Sequence, residues 1–356
     1  MRRVLAALFA AVLSATALSA AREAAAWEFS PEQLRSYEEL TRGDLARETP
    51  PALDRPQFIP AGDAALYLDR SEVVFVLENP PDQGEALVFP QKILVHHGVC
   101  NLRLAGTRLA VTYSPLSGSA ACWLGKVDVF DTTFGPTGQL LNSVMLVYDR
   151  STLTSWVQHT GIGIRGKLAG RELAGLPLLW TTWGKAFAVH PRARVLSRQT
   201  GFQRDYARDP YGSYQKPGTY YDSGGSYFPL TNVNLSLPAK TRVLGVRSGQ
   251  ATMAVVLDAV RRDLAANVPF GLTPLAAFWD PDLDTARLYS AVLDKDTLHF
   301  TVQGKAILDL ETHSTWDEHG RCTEGRLRGR SLAPVLAVPS MWFAWTAFFP
   351  RTMVFE

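Results

Sequence analysis

The hydrophobic pattern along the chain predicts mostly β-strands. Short runs rich in β-branched and aromatic residues recur throughout the sequence and are separated by glycine, proline, asparagine and aspartate, which is typical of strands joined by turns. We therefore predict an α+β fold in which strands dominate. The clearest predicted strands are residues 73–78, 108–113, 143–149, 241–247, 285–294 and 297–302.

A few segments carry the signals of helices instead. Residues 181–189 and 340–349 each begin at a hydroxyl side chain and are followed within two residues by a proline, which are the start and stop signals of a helix. Residues 251–266 have apolar positions at helical spacing and predict a third helix. The corresponding earlier segment, 85–99, is interrupted by Pro90, so we expect a shorter helix there.

Matching strings predict an internal repeat. Residues 149–156, DRSTLTSW, match 309–316, DLETHSTW, and residues 109–123 align without a gap on 275–289. Recurrence at a nearly constant spacing is the signature of a duplicated unit, so we predict two tandem homologous repeats with pseudo-two-fold symmetry. The predicted division is a signal peptide over 1–26, an N-terminal extension over 27–60, a first repeat over 61–200, an inter-repeat loop over 201–232 and a second repeat over 233–356.

The first residues predict export. Arg2 and Arg3 precede an apolar run over 4–18, and small residues follow, with cleavage expected after Ala21 or just before Trp27. The run is shorter than the roughly 20 residues that a membrane span needs, and no later apolar run reaches that length. A net charge of +2 implies no nucleic-acid partner. We expect a periplasmic or secreted protein without a transmembrane segment in the mature chain.

Several short motifs follow one another in a fixed order along the chain. They are ALVFP at 86–90, VTY at 111–113, LNS at 141–143, SWVQ at 155–158, RDYARDPY at 204–211 and WFAW at 342–345. In this order they resemble one family of bacterial exported proteins, the domain of unknown function 3179. The resemblance covers nearly all of the mature chain. It implies an architecture but no established activity, so it leaves open whether the protein is an enzyme.

The resemblance also implies that this chain has lost motif residues. Typical members carry Cys-Pro-Leu-Cys where this sequence has Ser114-Pro-Leu-Ser117, and a His-Glu pair where it has His97 and Gly98. Thiolates and histidine are suitable ligands for transition metals, whereas neutral serine hydroxyls are not. We therefore interpret Ser114 and Ser117 as degenerate positions of the motif.

Two interpretations of the neighbouring residues remain open. His97, Cys100 and Cys122 could rebuild a site for copper, zinc or iron, which would favour a metal-dependent or thiol-based envelope enzyme with a degenerate first-repeat site. Alternatively, Cys100 and Cys122 flank the hairpin and form a disulfide, which an exported protein permits. In that case no cofactor is expected.

Two histidines follow the paired tryptophans. His159 and His319 each lie three residues after a repeated tryptophan. At pseudo-symmetric positions they could carry acid–base chemistry. The alternative is that they are ordinary strand histidines.

The densest cluster of charged and aromatic residues lies where the two predicted repeats join. Domain junctions favour ligand clefts, and arginine suits carboxylate or phosphate groups. The alternative is that the same residues pin down a long loop. We expect first a binding or scaffold protein of the cell envelope, with a cleft between the repeats and an unknown small molecule or envelope protein as its partner. The candidate ligand-binding residues are Arg204, Asp205, Tyr206, Arg208, Asp209 and Tyr211.

Overall fold

A computed structural model describes residues 27–222 and 224–356. The predicted signal peptide, residues 1–26, lies outside the described residues. Strands make up 38% of the structure and helices 13%, which confirms that strands dominate. The helices are α1 Pro31–Leu40, α2 Ala61–Ala64, α3 Gln91–Leu94, α4 Trp183–Val189, α5 Leu257–Asp263 and α6 Trp342–Phe348, with a 3-10 turn at Pro115–Ser117.

The strands form two sets on either side of a long loop. The described residues between 197 and 241 hold neither a helix nor a strand. The first set is β1 Phe58–Pro60, β2 Val73–Leu77, β3 Leu87–Pro90, β4 Val99–Leu104, β5 Thr107–Ser114, β6 Ser119–Leu124, β7 Lys126–Val127, β8 Phe130–Asp131, β9 Phe134–Leu141, β10 Val144–Asp149, β11 Ser155–Val157, β12 Gly163–Arg165, β13 Gly175–Leu176, β14 Leu179–Thr182 and β15 Arg194–Leu196. The second set is β16 Arg242–Ser248, β17 Ala251–Val256, β18 Ala265–Val268, β19 Leu275–Asp280, β20 Thr285–Ser290, β21 Val292–Leu293, β22 Asp296–Thr297, β23 Phe300–Gln303, β24 Ala306–Asp309, β25 Thr315–Trp316, β26 Cys322–Glu324, β27 Ala337–Met341 and β28 Met353–Phe355.

Three sheets of the first set have counterparts of similar strand order in the second. The order β1-β15-β3-β2-β14 resembles β28-β17-β16-β27, and each sheet contains one parallel pairing, β15 with β3 or β28 with β17. The orders β13-β6-β5-β4 and β12-β11-β10-β9 correspond to β20-β19-β18 and β26-β25-β24-β23. Two short hairpins, β7-β8 and β21-β22, complete the sheets of the described chain. We refer below to the part before the loop as the first half and the part after it as the second half.

The repeated DRSTLTSW and DLETHSTW strings form the same local structure. The indole N–H of Trp156 donates to Asp149 Oδ2 at 3.1 Å, and that of Trp316 donates to Asp309 Oδ2 at 2.9 Å. Both tryptophans are buried, and a buried indole N–H needs an acceptor. The aspartate in each string therefore satisfies a tryptophan in the core of its own half.

The two halves pack against each other through reciprocal turns. Leu116, in the 3-10 turn of the first half, is buried in a cluster with Met341 and Trp342 of the second half. Leu283, in the turn between β19 and β20 of the second half, is buried in a cluster with Trp183 of the first half. Each half thus contributes an apolar side chain to the core of the other.

The predicted helix over 251–266 is wrong in its first part. Residues 251–256 form β17, which pairs antiparallel with β16, and only residues 257–263 are helical. All but the first residue of β17 are buried, and a buried strand gives a continuous apolar run that periodicity alone does not distinguish from a helix. Likewise, the two helices predicted to start at Thr181 and Ser340 begin two residues later, at Trp183 and Trp342, because both hydroxyl residues lie within strands. No side-chain hydrogen bond caps either helix.

The most apolar helix is a core element. Every residue of α6 is buried, as a helix that is hydrophobic on all sides should be. No helix in the part of the chain that the structure describes is long and apolar enough to span a membrane.

Candidate functional site

The two serines of the motif turn are used within the fold. Ser114 Oγ accepts a hydrogen bond from the backbone N–H of Met145 at 3.1 Å. Ser117 Oγ lies 2.8 Å from the hydroxyl of Ser119, which donates to Gln158 Oε1 at 2.6 Å. Both motif serines are fully buried, so their hydroxyls stabilise the turn and the strands around it.

A methionine fills the space beside the next motif position. Gly98 has φ +70°, and a Cβ placed on it would lie 2.7 Å from Met145 Sδ. Residues other than glycine rarely adopt this conformation. The glutamate that the family resemblance implies at this position would therefore require both backbone strain and movement of Met145.

His97 is satisfied at both ring nitrogens. Nδ1 lies 2.8 Å from the carbonyl oxygen of Pro51, which can only accept, so Nδ1 donates and Nε2 accepts from the hydroxyl of Tyr206 at 2.7 Å. Burial, with weaker contributions from His96 and Arg204, holds the pKa of His97 below its ordinary value. The neutral imidazole thus ties the long loop to the first half.

The predicted Cys100–Cys122 disulfide is wrong. Cys100 on β4 and Cys122 on β6 both pair with Val111 on β5, which lies between them. Neighbouring strands are about 4.8 Å apart, so the two Cα atoms are separated by about 9 to 10 Å, beyond the limit of about 7 Å for a disulfide. Both are free thiols, and burial raises the pKa of Cys122 to about 12.

The structure does not assemble the predicted metal ligands. His97 contacts Pro51 and Tyr206, whereas Cys100 and Cys122 lie in the apolar core of the first half. Over residues 27–222 and 224–356, no group of three or more histidine, cysteine, aspartate or glutamate side chains is placed to hold a metal ion.

The six candidate residues of the loop lie in different environments. Arg204, Asp205 and Arg208 are exposed, Asp209 and Tyr211 are half-buried, and Tyr206 is buried beneath His97. Within the described chain, no ion pair joins these arginines to these aspartates. The predicted cluster is therefore divided between the surface and the contact with the first half.

Asp209 is the centre of a hydrogen-bonded cluster. Its Oδ2 accepts from Gln91 Nε2 and from the hydroxyl of Tyr221, each at 2.7 Å, and its Oδ1 accepts from the backbone N–H of Tyr211 at 2.8 Å. The ring of Tyr221 stacks on Tyr214 with the ring centroids 3.7 Å apart. Because burial raises the pKa of both phenols, they remain neutral donors. Asp209 therefore anchors the loop to the start of α3.

A cleft of about 410 Å³ lies between this loop and the first half, and we call it the loop cleft. Lys92 Nζ forms an ion pair with Glu72 Oε1 at 3.0 Å on the wall of the first half, while Glu72 Oε2 is buried without a hydrogen-bond partner. The cleft near the candidate residues thus borders the first half and the loop, whereas the cleft was predicted between the two repeats. Its charged lining residues are Asp69, Glu72, Lys92, Arg208, Asp209 and Lys216.

The two histidines that follow the repeated tryptophans differ in environment. His159 is fully buried beside Trp345 and Phe348, with ring centroids at 5.9 and 5.3 Å. Burial, reinforced by the charge of Arg247, lowers its pKa to about 3. The side chain of His319 is 39% exposed and lies 3.4 Å from Glu318.

Sequence reasoning missed a buried cluster of charges between the halves. Arg287 Nη2 donates to Glu78 Oε1 at 2.9 Å and to Asp280 Oδ2 at 2.7 Å. His190 Nε2 also lies 3.1 Å from Glu78 Oε1. Although burial raises it, hydrogen bonds from Arg287 and His190 bring the pKa of Glu78 down to about 2. Asp280 begins the segment Asp-Pro-Asp-Leu-Asp at 280–284, and its alignment with Ser114 in the matching strings 109–123 and 275–289 was the available signal.

These features define a β-rich protein in which the motif turn is closed by internal hydrogen bonds and a long loop covers the first half. The family described as "Protein of unknown function (DUF3179)" matches residues 47–352, and the chain belongs to this family. The resemblance seen in the motifs is thereby confirmed. No curated protein and no solved structure matches the chain.

Proposed function

We propose that this protein is a binding protein of the cell envelope and that it takes a small zwitterionic solute, such as an amino acid or a short peptide, in the loop cleft. The observation that carries the proposal is the balanced charge of the cleft, whose lining includes three basic and three acidic side chains. A ligand with both an ammonium and a carboxylate group complements such a lining.

Several of these charges are free to meet a ligand. The side chains of Arg208, Lys216 and Asp69 have no hydrogen-bond partner within the described chain, and they lie around the same cleft. An arginine fork binds a carboxylate in a bidentate manner, and an aspartate can accept from an ammonium group. The ligand would therefore complete pairs that the protein leaves open.

The motif positions favour this proposal over the alternative of a metal-dependent or thiol-based enzyme. His97 has both nitrogens occupied, and Ser114 and Ser117 are hydrogen-bonded within the fold. Burial also raises the pKa of Cys100 and Cys122, which keeps both thiols protonated at neutral pH.

We further propose that the two halves are copies of one unit, with the boundaries 61–200 and 233–356. The similar strand orders of three sheets support this proposal. A second support is a pair of matched side-chain contacts. Asn101 Nδ2 donates to the carbonyl of Phe134 at 2.7 Å, and Asn267 Nδ2 donates to that of Phe300 at 2.8 Å. Export is proposed from the charge and hydropathy pattern of residues 1–26 alone.

Calorimetric titration tests the binding proposal. The probes are glutamate, a glycine dipeptide, inorganic phosphate and glucose, which separate zwitterionic, anionic and neutral ligands. We expect binding of a zwitterion, and we expect Arg208→Met and Lys216→Met each to weaken it by about tenfold, which is about 1.4 kcal/mol. Lys295→Met, an exposed lysine of the second half, is the matched control. If neither glutamate nor the dipeptide binds, or if the control variant weakens binding equally, the proposal fails.

A further inference from the structure

A groove separates the halves where β14 of the first half faces β20 of the second. It consists of two adjoining cavities, one of about 60 Å³ and one of about 410 Å³. Pro177, Leu179, Arg287, Tyr289 and Pro334 line both cavities, so the two adjoin along one groove. We call it the inter-half groove, and it is distinct from the loop cleft.

The smaller cavity of the inter-half groove is mostly apolar, with leucines from both halves in its lining. The larger cavity is also lined by polar side chains, which are Glu78, Asn79, Arg287, His319, Arg321 and Ser331. Arg287 is already engaged by Glu78 and Asp280. The apolar side chains of the smaller cavity are Pro177, Leu178, Leu179, Trp180, Leu244, Leu257, Ala286, Leu288, Pro334, Val335, Ala337 and Pro339.

The corresponding place on the other side of the molecule is filled by a leucine. There Gly175 pairs with Trp123, and Leu336 of the second half packs so closely that a Cβ on Gly175 would lie 3.2 Å from its Cδ2. On the groove side, Pro334 forms the equivalent bridge with Tyr289.

The position in the first half that corresponds to Leu336 holds a proline. Leu336 lies two residues after Pro334 in the second half, and Pro177 lies two residues after Gly175 in the first half. Pro177 is exposed on the groove wall and is shorter and more rigid than a leucine. The inter-half groove is therefore open at the place where an aliphatic side chain completes the packing on the other side.

The smaller cavity is lined by one arginine that forms no ion pair, although Asp258 and Asp284 lie within electrostatic range of it. The guanidinium of Arg242 lies 4.6 Å from the ring centroid of Trp180, in a cation–π contact, and lines the smaller cavity. Its side chain has no hydrogen bond or ion pair within residues 27–222 and 224–356. Arg242 can therefore offer its N–H donors to an anion at the mouth of an apolar groove.

We infer that the inter-half groove binds an n-alkyl carboxylate, with the alkyl chain between the leucines and the carboxylate on Arg242. Burial of each methylene contributes favourably because it leaves water, and the guanidinium matches a carboxylate in geometry and charge. This site is independent of the loop cleft, so either proposal can fail without the other.

The test uses decanoate and 1-decanol, both below the concentrations at which they aggregate. We expect decanoate to bind and to change the fluorescence of Trp180. Arg242→Met should weaken decanoate by about tenfold and leave 1-decanol unchanged, because only the carboxylate contacts Arg242. Arg328→Met, an exposed arginine away from the groove, should change neither.

A filling variant tests the position of the chain. Pro177→Leu supplies the side chain that Leu336 provides on the other side, so it should abolish binding of both probes while the melting temperature stays the same or rises. If Pro177→Leu does not fold, Ala337→Leu fills the same groove from the other wall. The inference is overturned if decanoate does not bind, if neither filling variant reduces binding, or if Arg321→Met at the far end weakens decanoate while Arg242→Met does not.

Discussion

Met145 occupies the place beside Gly98 where the side chain of any other residue would lie. The thioether sulfur is 2.7 Å from the position of an added Cβ. The same methionine donates its backbone N–H to Ser114 Oγ. One residue of β10 thus contacts two of the positions at which this chain departs from the motif of its family, and the three residues form one packed unit.

A methyl group at residue 98 should therefore destabilise the protein. Gly98→Ala combines the strain of a positive φ, about 1 to 2 kcal/mol, with overpacking against Met145, about 1 to 3 kcal/mol. Gly106→Ala is the matched control, because Gly106 has φ +84° but nothing within 4 Å of an added Cβ. Urea unfolding should show the larger loss for Gly98→Ala. Equal losses would mean that Met145 moves aside without cost.

Acidification should weaken the fold through His159. Its pKa is lowered to about 3 from the ordinary value of 6.5, so the unfolded chain takes up a proton at a pH where the folded chain does not. The stability from the neutral ring is full above pH 6.5 and falls toward pH 3, by about 1.4 kcal/mol per unit. Arg247, paired with Glu172 at 2.8 Å, is the charge that faces this ring.

The measurement is the free energy of unfolding between pH 7 and pH 4.5, compared between the wild-type protein and His159→Gln. The variant should lose less stability on acidification, because carboxylates contribute equally to both proteins and cancel. His319→Gln, which replaces a partly exposed histidine, should behave like the wild type. Parallel curves for wild type and His159→Gln would contradict the prediction.

Removal of Arg287 should be costly because it leaves two buried carboxylates without their partner. Glu78 and Asp280 are both buried or nearly so, and breaking a buried pair costs about 3 to 5 kcal/mol. Arg287→Met should therefore lower the urea midpoint strongly. Arg262→Met breaks an exposed pair with Asp263 and should change the urea midpoint little, because water screens exposed charges. A small loss in Arg287→Met would show that water compensates the carboxylates.

The ion cluster around Arg287 makes a second contribution to the loss of stability at low pH. The pKa of Glu78 is lowered to about 2 from 4.5, so its contribution is full above pH 4.5 and is lost as the pH falls toward 2. Glu78→Gln should remove this part of the acid dependence. Unfolding curves of the wild type and Glu78→Gln that stay parallel between pH 5 and pH 3 would exclude it.

The three cysteines should remain reduced and slow to react. Cys100, Cys122 and Cys322 are buried free thiols, and a buried protonated thiol is a poor nucleophile. Titration with an aromatic disulfide reagent should detect few thiols in the folded protein and three after denaturation. The intact mass under oxidising conditions should match three free thiols. An intact mass that is lower by two hydrogen atoms would show that the sheet rearranges and that Cys100 and Cys122 form a disulfide.

The sequence predicted the strands and the long loop better than it predicted the contacts between them. The dominance of strands followed from β-branched runs, and the resemblance of the motifs to their family was confirmed. The disulfide prediction was wrong because the positions of two cysteines on either side of a hairpin do not show whether their strands are neighbours. Here the strand that contains Val111 lies between the strands of Cys100 and Cys122. The helix over 251–266 failed because buried strands and helices share apolar runs.

The candidate site was harder to predict than the fold. The string at 204–211 reads as one charged cluster, yet alternate residues of an irregular loop can face opposite directions, and Tyr206 is buried whereas Arg204 and Arg208 are exposed. The ion cluster around Arg287 joins residues about 200 positions apart in the chain. Such long-range pairs depend on how the halves dock, which local patterns do not encode.

The reciprocal burial of Leu116 and Leu283 makes each half dependent on the other. Severing the chain within the connecting loop would leave each fragment with a vacancy in its own core and an exposed leucine that belongs in its neighbour. Unfolding should therefore be a single cooperative event for the whole molecule. The two halves must also evolve together, because a change of side-chain volume at either turn alters the packing in the core of the opposite half.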